Sequence, residues 1–170
     1  TLSDTTVENI GVNSDELVKN GEFSSNINES DGVGWDLVSG TQSISSGVLT
    51  IQPTTYGGVE QIINVLPHKR YIFNVVVHST TTGTARIYIG DSSSQGFYYN
   101  VPSLTVGAYN FVFTTSSDTV LKIKLATTGQ SGSNVSFSST SLKQTTELIT
   151  NGDFSIDAAA ENFATAYPDW

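Results

Sequence analysis

The residues best able to do chemistry lie in three β-like runs. In "TARIYIG" Arg86 and Tyr88 fall on one side of a period-2 alternation, and Ala85, Ile87 and Ile89 fall on the other. In "VLKIKLA" Lys122 and Lys124 alternate with Leu121, Ile123 and Leu125. In "RYIFNVVVHS" Asn74 and His78 alternate with Tyr71, Phe73, Val75 and Val77. Three of the seven basic residues of an acidic chain are thereby expected on the outer face of neighbouring strands. Tyr98 and Tyr99 follow in "GFYYN", and Tyr56 sits in the loop "TTYGG". Rings beside planar hydrogen-bonding groups suit a sugar. The C–H face of a pyranose packs on an aromatic ring, while Arg, Asn and Lys reach its hydroxyls. Each residue also has a structural reading: strand lysines keep edges soluble, and tyrosines pair across strands. Tyr56 reads equally as a ligand platform or as a plug over the sandwich edge, and Trp35 as an anchor of the first strands.

Other chemistries find little here. There is no cysteine, hence no thiol nucleophile and no disulfide. His68 lies in a Pro-His-Lys turn and His78 at a strand end, neither beside a Ser/Asp arrangement. The strands over 70–79, 84–89, 109–115 and 120–127 carry no acid, whereas a glycosidase needs two facing carboxylates. The chain is therefore read as a non-enzyme. No His/Cys cluster marks a transition metal, and "DGVGWD" and "DSSSQG" lack the oxygen-ligand spacing of an EF-hand. A net charge of −9 argues against a nucleic-acid partner, which needs a basic face. No run is long and apolar enough to insert in a membrane.

The elements that must position these groups are strands. Ser, Thr, Gly, Asn and Val dominate the 170 residues, and turn signals recur at sandwich spacing. Strands are expected over 16–19, 35–39, 42–45, 48–52, 59–65, 70–79, 84–90, 97–101, 109–115, 120–127 and 134–143. One helical hint, 157–166, starts at Asp157. Each strand has one apolar face, so the fold class is all-β: two antiparallel sheets packed through those faces as a β-sandwich. The phrase "ELVKNGEFSS" at 16–25 returns as "ELITNGDFSI" at 147–156, 131 positions on (147 minus 16). The expected organisation is a linker or tail over 1–15, one module over 16–146, and the start of a similar module over 147–170, with Trp170 the counterpart of Trp35.

The ordered phrases "ELVKNGEFS", "GW", "SGVLTIQ", "YGGVEQIINVLPHKRYIFNVVV", "GTARIYIG", "LTVGAYNFVFTTSSDTVLKIKLATTG" and "VSFSSTSLKQ" resemble a jelly-roll carbohydrate-binding module. The likeness is to the group that binds xylan, β-glucan and cellulose, with a galactose-binding-like fold. Gln61 to Tyr71 matches the family's midway hairpin with His68 in place of Gly, and Tyr109 to Thr114 matches its later strand without the Trp. The resemblance covers about 16–143. It implies a jelly roll and a non-catalytic role in a larger, extracellular or surface-exposed protein. It also implies a structural calcium, but the family's acids after the Asn-Gly phrase and in the last strand are Ser24 and "SSTSL" here. Glu22 at most remains as a metal ligand.

The resulting expectation is a glycan bound on the outer sheet face by Arg86, Tyr88, Lys122, Lys124 and Asn74, with Tyr98 and Tyr56 as platforms. Its partners are a polysaccharide or cell-surface glycan and neighbouring modules of the same chain. The alternative is a structural spacer or surface module of a phage virion or adhesin. The repeated phrase, the missing acids and the lack of an outer tryptophan pair motivate it.

Overall fold

The computed structural model describes residues 15–25, 27, 34–53, 57–92, 96–127 and 133–145. Tyr56, the second copy of the repeated phrase and the expected helix over 157–166 lie outside the described residues. Ten strands form: β1 Asp36–Ser39, β2 Thr41–Ser45, β3 Val48–Gln52, β4 Gly57–Asn64, β5 Arg70–Thr80, β6 Ala85–Asp91, β7 Phe97–Leu104, β8 Gly107–Thr114, β9 Val120–Thr127 and β10 Val135–Thr145. They make a front sheet in the order β1-β4-β9-β6-β7 and a back sheet in the order β2-β3-β10-β5-β8. Every pairing is antiparallel. From β3 onward the chain crosses between sheets at almost every connection, which is the jelly-roll winding.

The alternation read from sequence sets the inner faces. Phe73, Val75 and Val77 of the back sheet meet Ile87, Ile89, Leu121, Ile123 and Leu125 of the front sheet in one buried core. Each such side chain contributes about 1.5–3 kcal/mol relative to exposure. Trp35 closes one end of this core, 1% exposed, with Phe23 beside it at a centroid distance of 6.2 Å.

The segment 16–19, expected as a strand, instead forms an extended arm that turns at once. Only Leu17 N donates to a strand backbone, at Leu142 O (3.0 Å). Side chains make up the rest of the pairing. Glu16 Oε1 accepts from Leu142 N (2.7 Å), and Glu16 Oε2 accepts from Ser141 Oγ (2.6 Å). Gln61, 2% exposed, brackets the Lys19 backbone: Lys19 N donates to its Oε1 (2.7 Å) and its Nε2 donates to Lys19 O (2.9 Å).

The tight turns follow backbone chemistry. Ser46 and Gly47, both at positive φ (52° and 74°), make the two-residue hairpin between β2 and β3. His68 sits at φ 55°, the left-handed region where the resembled family carries glycine.

Candidate functional site

The front sheet turns its outer face to solvent, and strand register builds that face row by row. Glu60, Lys124, Tyr88 and Asn100 stand side by side on β4, β9, β6 and β7. One row away, Ile62, Lys122, Gly90 and Phe97 are aligned. In the row on the other side, Gly58, Ala126 and Arg86 are neighbours. Small residues in that last row lower the floor between taller ones. The result is a groove of about 290 Å³ lined by Ser39, Gly57, Glu60, Arg86, Tyr88, Lys122, Lys124, Ala126 and Thr127. That is near the low end for small-molecule sites, about 300–1,000 Å³.

Four of the expected residues, Arg86, Tyr88, Lys122 and Lys124, thus meet in one groove. Phe97, beside the groove on β7, packs against Tyr88 and was missed from sequence. Its ring stands edge-on to Tyr88 at 4.4 Å and 79°, and it is 46% exposed. The bare backbone of Gly90 admits this ring: a Cβ there would lie 3.3 Å from Phe97 Cδ1 and 2.3 Å from Gly96 O. Glu60 was also missed. It neutralises Lys122 at 3.4 Å.

The remaining cations are held differently. The Nε and Nη2 edge of Arg86 donates to Asn100 Oδ1 (3.3 and 3.0 Å), a neutral partner. Lys124 is half-buried, its stem running over Gly58, where a Cβ would meet Lys124 Cε at 3.1 Å. The groove therefore holds three cations against the single carboxylate of Glu60. Asp36, on β1 beside Glu60, is the next acid along that row.

Asn74, His78, Tyr98 and Tyr99 lie elsewhere. Asn74 belongs to β5 in the back sheet, as does His78, on the opposite outer surface of the sandwich. Asn74 lines a depression of about 480 Å³ with Glu16, Asn20 and Glu22. The N-terminal arm forms one wall of that depression, and the polar groups of its Glu16 and Asn20 are engaged within the protein. Both carboxylate oxygens of Glu16 accept from protein donors. The Asn20 amide is bonded to Ser24 N, Ser25 N and Ser25 O. Calcium does not fit there, because only Glu22 keeps a carboxylate outside this network. Among the described residues no three His, Cys, Asp or Glu converge on a metal-sized site.

Tyr98 also leaves the outer face. The register slips at Tyr98, between the pairs Ile89–Tyr99 and Gly90–Phe97. This bulge turns Tyr98 and Tyr99 toward the back sheet together. The Tyr98 ring stacks on Phe113 at 5.0 Å, and its hydroxyl donates to Asp118 Oδ2 (2.5 Å) and accepts from Ser116 N (2.7 Å). Burial, then the Asp118 hydrogen bond, holds this phenol above its ordinary pKa. Tyr99 packs on Phe111 at 5.0 Å and donates to Val112 O (2.8 Å).

No protein-family model matches the chain, and no curated protein matches it. Solved structures do resemble it. A CBM4 structure superposes with a TM-score of 0.56 at 15% identity, covering 75% of this chain and 99% of that one. The enzymatically active domain of tailspike protein 4 of bacteriophage CBA120 gives 0.50 at 17%, covering 76% of this chain and 21% of that one. The complex of TmCBM61 with β-1,4-galactotriose gives 0.45 at 18%, covering 77% and 99%. At such identities the likeness is one of fold. The chain has the two-sheet jelly roll found in carbohydrate-binding modules.

Proposed function

We propose that this chain is a non-catalytic carbohydrate-binding module that takes a glycan on the outer face of its front sheet. One observation carries the reading: the Tyr88–Phe97 aromatic pair stands beside Arg86, Lys122 and Lys124 on one solvent-facing surface. A sugar ring laid against Tyr88 would bring its hydroxyls within reach of these donors. The core draws on the inner faces alone, so binding on this surface leaves the fold undisturbed. In this reading the module serves a larger extracellular or surface-exposed protein, and the repeated phrase at 147–156 begins a second, similar module.

Affinity electrophoresis against a panel of soluble polysaccharides tests the proposal. At least one glycan should retard the protein, and Tyr88→Ala should weaken that retardation about tenfold or more while the protein stays cooperatively folded, its Tm lowered only by the lost contact with Phe97. Retardation unaffected by Tyr88→Ala would remove the site from this face.

A second reading rests on the tailspike likeness: a surface module of a phage virion whose front sheet is covered by a neighbouring module. In that case no panel glycan binds, and Tyr88 is protected from solvent in the full parent assembly.

A further inference from the structure

The groove has an imbalance that a neutral sugar does not require. Among the described residues Lys124 has no hydrogen-bond or ion-pair partner, although it is half-buried. The aliphatic stem over Gly58 accounts for this burial, so the ammonium stands at the groove as a cation without a counter-charge; the sequence has sixteen acids to set beside it. It supplies Glu60, which sits opposite Lys124 in register yet bonds Lys122 instead. Asp36 lies further out still, on edge strand β1. Arg86 occupies the position diagonal to Lys124, one strand over and one row away. Its Nε–Nη2 edge rests on Asn100 Oδ1. That contact fixes the plane of the guanidinium and leaves the Nη1–Nη2 edge for another acceptor. Two parallel N–H donors on that edge match a carboxylate, and a nearby ammonium completes the charge.

We propose that the glycan taken by this face is acidic, with a carboxylate-bearing sugar seated so that its anion lies between Lys124 and the outer edge of Arg86. The inference rests on the front-sheet reading above and adds the class of sugar. Tyr88 packs the ring, Asn100 aims Arg86, and Glu60 keeps Lys122 from competing for the anion.

The test is calorimetric titration of the full chain with oligogalacturonate and with its methyl ester, which keeps the ring and removes the charge. A panel of neutral xylo-, gluco- and manno-oligosaccharides runs beside them. Oligogalacturonate should bind at least tenfold more tightly than its ester. Lys124→Gln and Arg86→Gln should each erase most of that difference, weakening binding of the acid severalfold more than binding of the ester. Lys124→Arg should restore it, and Lys143→Gln, the same charge change on β10 of the back sheet, should have no effect. Dextran sulfate serves as the plain polyanion. If it binds as well as oligogalacturonate, and Tyr88→Ala is without effect, the surface is an ion exchanger and the proposal fails. If neutral oligosaccharides or the ester bind as tightly as the acid, the acidic-sugar inference is overturned while the glycan-binding face stands. If nothing binds, both fall.

Discussion

Single residues explain why the phrase "ELVKNGEFS" has so little freedom. A Cβ on Gly21 would lie 2.2 Å from Thr140 O, while Thr140 N donates to Gly21 O at 2.8 Å, so only glycine allows this approach. Asn20 (φ 51°) and Phe23 (φ 50°) adopt left-handed backbone, and Asn20 Oδ1 accepts from both Ser24 N and Ser25 N while its Nδ2 donates to Ser25 O, which stabilises the loop. Phe23 is fully buried against Trp35. The raised pKa of Tyr98 ties stability to pH. The folded state holds the phenolic proton more tightly than the unfolded chain does. Its contribution is therefore full below the ordinary tyrosine value near 10 and is lost as pH climbs through that value toward the folded one. Tyr98→Phe should cost about 1 kcal/mol at neutral pH, from the lost bonds to Asp118 and Ser116. It should also flatten the alkaline fall in stability. Urea unfolding of both proteins from pH 8 to 11 measures this; parallel curves would show that Tyr98 does not couple folding to pH.

At the scale of elements, side chains finish what the ladders leave open. Glu16 completes the pairing of β10 where the arm 16–19 fails to continue as a strand, and Tyr98 and Tyr99 tie edge strand β7 to the β8 side of the back sheet. Glu16→Ala leaves Leu142 N and Val18 N without acceptors, at a cost of about 1–3 kcal/mol. Glu16→Gln keeps one accepting oxygen and should lose less. Hydrogen exchange at Leu142 should quicken in the Ala variant, fall between in the Gln variant, and stay near wild type at Ile123 in the front-sheet core. Uniform acceleration at both positions would mean that Glu16 supports the whole fold and not this junction. The same scale shows what sequence can convey. Alternation assigns each strand's inner face, and the register brings Arg86, Tyr88, Lys122 and Lys124 together because β6 and β9 are neighbours. Neighbourhood itself is non-local. Nothing in the period-2 pattern of "RYIFNVVVHS" says that β5 lies in the back sheet, so Asn74 was grouped with residues on the far surface. Likewise, one extra residue in β7 reverses the parity of "GFYYN". Phe97 is sent outward and Tyr98 inward, and alternation has no marker for that slip.

The whole molecule sets one field against another. It carries a net charge of −9, yet three of its seven cations share one groove. An acidic polysaccharide approaching from a distance meets the summed negative charge, and only at contact does it meet Lys124 and Arg86. Ionic strength separates the two effects. The Debye length is about 30 Å at 0.01 M salt, long enough for the full charge to repel, and about 8 Å at 0.15 M, so that local groups dominate. Association with oligogalacturonate should therefore speed up as salt rises over this range. Dissociation should also quicken, because the contact with Lys124 and Arg86 weakens. A neutral glycan on the same face should show neither trend. Stopped-flow measurement of both rate constants at several salt concentrations separates these outcomes. An association rate that only falls with added salt would mean that the groove's positive potential reaches beyond the acidic surface and steers the ligand from afar. The acidic residues around it would then have to be placed so as to leave a corridor of approach open to anions.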